Sequence, residues 1–283
     1  ISSTKKAGEK SHFFSKFIKN YKGKNNSDNN IEFTLQEVSN DKYLKLYKIK
    51  SNLVDFNTDT LENSLNITHE IDDIFLGLKA SSYETLNDTY NDKYEYVLPD
   101  IILDKNLFAS NKYGNADLTS NFKIHNYDTN KLEKFLVNDL DWKYKSFNFS
   151  SGLSGRLLGK LKNVNYETKN TKEYKDEPTQ EIFGALGYLT ELDLYKKTNN
   201  SDHSFTPKIL LRYAPGHMRK ENDGTRLNNL NVFSLDRLNS YNNFESGLSS
   251  ALGFDYEIKN SNKVYTFSGG QIISEKENKD MPS

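Results

Sequence analysis

The sequence contains no cysteine, so it offers no disulfide staple and no thiolate nucleophile or ligand. No run of 18 apolar residues occurs, which excludes a transmembrane helix. Neither sign of charge dominates: 38 basic and 39 acidic residues leave a net charge of −1. The basic excess of a nucleic-acid binder is therefore missing, and no nucleic-acid partner is expected. No secretory leader stands at the start. The chain opens on Ile1 and closes on Asp280-Met281-Pro282-Ser283, and we expect an internal piece of a longer protein, for which a missing leader says nothing about export.

Catalytic chemistry is equally sparse. His12, His69, His125, His203 and His217 are scattered, no two at a metal-ligand spacing. There is no Gly-x-Ser-x-Gly and no phosphate-binding glycine loop, and Asp223-Gly224 reads as a turn. No catalytic residue, metal or cofactor is expected.

What is present is aromatic. Hydrophobic residues make up 35% and mean hydropathy is −0.80, yet 18 Tyr and 17 Phe bring aromatics to 13%. That is too many rings for a disordered chain and too few aliphatics for an ordinary soluble core. A sheet that is apolar on one face only needs no more than this. A polar soluble β-protein rich in Asn and Lys has the same totals.

The clearest pattern is Phe244–Lys259. Phe244, Leu248, Leu252, Phe254, Tyr256 and Ile258 fall on even positions, while Glu245, Gly247, Ala251, Asp255 and Glu257 fall on odd ones. Side chains alternate sides along a strand, so period two puts one apolar face opposite one small or charged face. At ~3.3 Å per residue the run spans roughly 50 Å, beyond the usual globular strand. These features predict a barrel wall with Phe244, Leu248, Leu252, Phe254, Tyr256 and Ile258 toward lipid and Glu245, Asp255 and Glu257 toward a wet lumen. The same three acids suggest an acid pair only on the less favoured reading.

The rest of the chain reads as about a dozen strands. Residues 1–30 form a polar Lys- and Asn-rich loop, with Phe13, Phe14, Phe17 and Ile18 as at most a helical turn or two. Strands follow over Ile31–Val38, Tyr43–Ile49, a hairpin of Leu61–His69 with Ile74–Tyr83, and Tyr94–Leu98, where Pro99 marks an end or bulge. Ala116–Asn126, Leu136–Ser146, Phe147–Lys162, Glu181–Tyr195, Phe205–Ala214 and Lys263–Ser274 complete the set, with polar loops at 163–180 and 215–243. No helix intervenes, so the fold expected is an all-β antiparallel meander, part of a large and here incomplete outer-membrane barrel over 31–283. Short links alternating with long loops fit that class.

Several segments resemble one family. Thr206-Pro207-Lys208-Ile209-Leu210-Leu211-Arg212-Tyr213-Ala214-Pro215 is similar to the P-(R/K)-x-x-Y/R-Y-x-P segment of the lipopolysaccharide-assembly (LptD, organic solvent tolerance) family. Asn231-Val232-Phe233-Ser234-Leu235-Asp236-Arg237 resembles its loop motif, and Phe244–Ile258 followed by Ser268-Gly269-Gly270-Gln271-Ile272 resembles its next two strands. Upstream, Val38–Leu44 and Leu98-Pro99-Asp100-Ile101 resemble two further segments in order. The likeness covers about 38–273 and is nearest the α-proteobacterial style. It departs after Arg237, where Asn239-Ser240-Tyr241-Asn242-Asn243 replaces Gly-x-Asp-Arg, and after Gln271, where Ile272, Ile273 and Ser274 replace aromatics. Pro207, Tyr213, Pro215, Phe233, Asp236, Arg237, Gly270 and Gln271 are the motif positions.

The resemblance implies a Gram-negative outer-membrane translocon that places lipopolysaccharide in the outer leaflet, without enzymatic chemistry. It implies a plug lipoprotein (LptE), a periplasmic bridge protein (LptA) and outer-membrane lipids as partners. Arg237 with Asp236 would either bind a phosphate or anchor a long loop by an ion pair, the anchor being favoured. Lysines within 1–24 would touch lipid phosphates. A pore or TonB-type transporter, and a soluble β-rich binding or adhesive protein, remain the alternatives.

Overall fold

Alternating side chains and the lack of helical punctuation lead the chain into strand after strand. The computed structural model describes residues 11–87, 92–128, 130–221 and 227–281. Its strands are β1 (His12–Lys22), β2 (Asp28–Val38), β3 (Thr60–Ile71), β4 (Ile74–Thr85), β5 (Tyr94–Ser110), β6 (Gly114–Tyr127), β7 (Lys131–Lys143), β8 (Phe147–Asn148), β9 (Leu153–Lys169), β10 (Thr179–Leu192), β11 (Leu194–Lys197), β12 (Asp202–Ala214), β13 (Gly247–Lys259) and β14 (Val264–Ser274). They form one antiparallel sheet in the order β1-β2-β3-β4-β5-β6-β7-β9-β10-β12-β13-β14, with β8 against β9 and β11 against β12. The all-β meander expected from the sequence is the fold observed. The sheet is not closed: β1 and β14 stand at the two ends of the strand order.

Two compact units divide the chain. The first comprises Ile1–Lys105, Thr119–Leu136 and Asn165–Gln180; the second comprises Asn106–Leu118, Val137–Val164 and Glu181–Ser283.

In the first unit β3 and β4 form the expected hairpin, closed at Ile71↔Ile74 with Asp72 in the left-handed conformation that a short polar side chain tolerates. Opposite Pro99 the register slips between Lys79 and Ser81, so the proline sits in a bulge inside β5 and does not end it. Polar groups line up on one face of β5 and β6: Glu95 with His125 at 2.7 Å, Asp100 with Asn121 at 3.2 Å and Asp104 with Thr119 at 2.5 Å. The inward side chains of β2 and β4 are polar too, with Thr34, Gln36 and Ser81 buried, while Phe13, Phe17, Tyr21, Phe33, Leu65 and Leu76 are exposed.

Three expectations are corrected. Residues 12–22 and 28–30 are strand, not loop, because β1 pairs along its whole length with β2 from His12↔Val38 to Lys22↔Asp28. The spacing of Phe13, Phe17 and Tyr21 fits one side of a helix as well as one face of a strand, and the pairing with β2 decides for the strand. Residues 1–10 lie outside the described residues. Tyr43–Tyr47 is a short helix, α1, not a strand. Lys48 ends it in a left-handed conformation, and burial of Tyr43 and Leu44 against Val54, Leu61 and Leu86 outweighs extended propensity. Finally, β9 continues to Lys169, so the polar loop starts at Asn170 and not at Asn163.

Leu44 is 1% exposed at the centre of this small cluster. Leu44→Ala removes its packing, and a loss of about 2–5 kcal/mol is expected. Urea unfolding followed by hydrogen exchange over 39–59 measures it, and exchange unchanged there would show the cluster to be incidental.

Candidate functional site

The second unit carries the most unusual chemistry of the described residues. Here one face of the sheet, which carries small, charged and some large apolar residues, is covered, and the other, apolar face is bare. Phe183, Ala185, Leu210, Arg212, Ala214, Ser249 and Ala251 are buried, whereas Ile182, Leu186, Ile209, Leu211, Tyr213, Leu248 and Leu252 are exposed. The cover is the long segment 215–246, whose described residues contain no strand.

This segment lies on a cluster of buried charges. Arg212 of β12 is 1% exposed and donates from Nε to the Leu235 carbonyl at 2.6 Å, from one Nη to the Glu245 carbonyl, and from the other to the Gly247 carbonyl at 3.4 Å. Its guanidinium stands 5.8 Å from the Phe244 ring, and Phe244 stacks on Phe183 of β10. Arg237 forms a bidentate pair with Glu245, 2.7 Å on one arm, and donates to Ser249 Oγ at 2.9 Å. Both partners are nearly sealed from solvent. A charge-assisted, two-pronged bond of this kind fixes orientation as well as charge.

Lys162 of β9 supplies the next tie. It donates to the Ser240 and Asn243 carbonyls and lies 3.4 Å from Asp236 and 3.8 Å from Asp139. Burial pushes the Asp236 carboxyl above its ordinary value, with Lys162 pulling it partly back. Arg219 then bonds Glu181 of β10 and the Asn242 carbonyl, and its backbone is clasped by Asn243, N–H to Oδ1 at 3.1 Å and Nδ2–H to O at 2.9 Å.

Both roots of the segment are glycines in positive φ, Gly216 at 103° and Gly247 at 112°, where other residues are strained. Asn278 bridges the roots by donating to Met218 Sδ and to the Ser246 carbonyl.

The sequence-named residues fall as follows. Leu248, Leu252 and Phe254 are exposed on one face of β13, with Tyr256 and Ile258 half-buried on the same face. Phe244 is corrected: it is 1% exposed, because β13 begins only at Gly247 and the bend there releases the preceding residues from the alternation. Glu245 is corrected for the same reason. It is a buried partner of Arg237 and not a wet residue. Asp255 is half-exposed and pairs with Lys208 at 2.6 Å, and Glu257 is exposed. Arg237 does tie the loop, but to Glu245; Asp236 pairs with Lys162 instead.

Pro207 faces Phe254 across β12–β13, Tyr213 and Pro215 are exposed, Phe233 is half-buried, and Gly270 and Gln271 lie exposed on β14 opposite Gly253 and Leu252. Of the lysines proposed to meet phosphates, Lys16 and Lys22 lie on β1 in ion pairs with Glu32 and Asp28, both at 2.6 Å. Asp223-Gly224 lies outside the described residues. Sequence reasoning missed Arg212, Lys162 and Arg219. Arg212 shares its strand face with Lys208, and Lys162 shares its own with Arg156 and Lys160, so alternation alone does not single them out. Among the described residues no group of three or more metal-ligating side chains occurs.

In comparisons with known proteins, no family model and no curated protein matches the chain.

Proposed function

We propose that the chain forms part of the wall and covering loops of an outer-membrane β-barrel. The observation that carries this reading is the bare apolar face in each unit, set against an opposite side that buries polar and charged side chains such as Thr34, Gln36, Ser81, Arg212 and Arg237 alongside apolar ones. In water, a bare face of Ile182, Leu186, Ile209, Leu211, Leu248 and Leu252 would expose a large apolar patch. Against hydrocarbon it is stable, and the polar face then needs an aqueous or protein-filled interior. A segment seated on the covered face and tied to it by buried ion pairs suits a barrel whose interior is occupied.

Within that class, the segments resembling the lipopolysaccharide-assembly family favour a translocon that carries lipopolysaccharide to the outer leaflet with LptE-like plug and LptA-like bridge partners. A saccharide needs a hydrated passage, while acyl chains cost about 0.8 kcal/mol per exposed CH₂ and favour leaving sideways. No covalent step is required.

The chain is free of cysteine, so single cysteines report cleanly. Spin labels at Leu252 and Leu211 in reconstituted vesicles should collide with oxygen and be shielded from a water-soluble nickel chelate, with the reverse at Glu257. Chelate access at Leu252 and Leu211 would remove the membrane reading in favour of a soluble β-protein. In cells, a photo-crosslinker at Glu257 should capture lipopolysaccharide. Its absence, together with open-channel conductance, would leave the wall but assign it to a pore or transporter.

A further inference from the structure

The bare face of the second unit is not uniform. Between β7, β9, β10 and β12 it contains a groove of about 500 Å³, within the size range of small-molecule sites. Its floor is formed by Gly159 and Gly184, two positions of that face without a side chain. Its walls are Trp142, Leu161, Leu186 and Tyr213. The lining is almost wholly apolar, so no polar ligand would replace its hydration there. A Cβ on Gly159 would stand 3.1 Å from the Trp142 ring, and one on Gly184 would stand 3.3 Å from the Lys160 carbonyl. Any side chain at either place would begin to fill the groove.

Beyond the Trp142 wall the groove abuts a group of aromatic and charged residues. Trp142 Nε1 donates to the Tyr113 carbonyl at 2.9 Å, which fixes the indole as a wall. Trp142 meets Tyr144 edge-on, and Tyr144 stacks on Phe147. Lys112, exposed, lies with its ammonium 5.0 Å from the Tyr113 ring centre. Trp and Tyr beside Lys, next to an almost wholly apolar channel, reproduce the polarity profile of one lipid molecule: chain, interface, phosphate. These residues sit at the end of the unit where the links are short, 111–113 and 144–146, and the short turns of outer-membrane barrels are periplasmic.

We propose that this groove binds one acyl chain of an anionic phospholipid, with the phosphate at Lys112. The proposal rests on the membrane reading above and adds a specific lipid site to it. Trp142 is the only tryptophan of the chain and forms the groove wall, so its fluorescence reports occupancy directly.

The full chain is reconstituted in vesicles containing phosphatidylglycerol or phosphatidylcholine brominated in mid-chain. Brominated phosphatidylglycerol should quench Trp142 to a plateau at about five-fold lower mole fraction than brominated phosphatidylcholine, the worth of one lysine near an anionic surface. Lys112→Ser, an exposed change that leaves the fold alone, should abolish that preference. Gly184→Leu should return both lipids to the quenching expected of random neighbours.

Equal, linear quenching by both lipids, unchanged by Lys112→Ser, would overturn the groove site while leaving the membrane wall intact. Quenching by aqueous iodide and by neither lipid would overturn both.

Discussion

Arg237→Ala is expected to destabilise the covering segment by about 3–5 kcal/mol, because it strands the Glu245 carboxylate in a buried place. The loss is local. A spin label at Leu230, which is 86% exposed, should pass from restricted to rapid motion, and protease should begin to cut between Gly216 and Gly247. The strands themselves should stay paired, since the Arg237–Glu245 bond lies outside every ladder. The control is the double change Arg237→Met with Glu245→Leu, which removes both charges and is expected to recover most of the loss. If the double variant is as mobile as Arg237→Ala, the ion pair holds more than its own two charges. If Arg237→Ala is as immobile as the parent, the seat is made by Arg212 and Lys162 alone.

Lys162→Met is expected to have an effect of similar size, about 3–5 kcal/mol, by leaving Asp236 and Asp139 facing one another without their shared cation. It also carries a pH signature. Burial holds the Asp236 carboxyl above its ordinary range, so the seated state binds a proton that the released state does not. The contribution of Asp236 to seating is therefore fully present below the ordinary carboxylate range and is lost as pH rises through the raised value. Acidification should tighten the segment, not release it. Asp236→Asn should flatten that dependence, and Lys162→Met should move it to higher pH. Mobility of the Leu230 label against pH measures all three. Release on acidification would mean that another group dominates.

Much of this arrangement was legible from residue order. Leu248, Leu252 and Phe254 do share a face, the hairpin at Ile71 and Ile74 is where the alternation breaks, and the odd positions of β6 do form a polar ladder. These are local signals, written by pleat geometry alone. The misreadings have tertiary causes. Tyr43-Leu44 turns helical because a pocket between Val54, Leu61 and Leu86 receives it, and nothing within seven residues announces that pocket. Residues 12–22 are a strand because a partner strand lies sixteen residues further on. Phe244 and Glu245 continue the period of β13 on paper, yet Gly247 bends the chain before they can follow it.

The candidate site was harder still. The sequence points to Arg237 with Asp236 as a loop anchor but does not show what either one pairs with. Neighbours in sequence compete with partners brought by a bend, and the bend won: Glu245 reaches Arg237 from eight residues away with two parallel bonds.

Arg212 and Lys162 take hold of the segment mainly through carbonyls, those of Leu235, Glu245, Ser240 and Asn243. A grip on peptide oxygens is indifferent to what each residue carries outward. The exposed residues around Leu230 can thus vary while the same two cations keep the segment docked. Diversity in the segment's side chains would then require no compensating change in the strands beneath it.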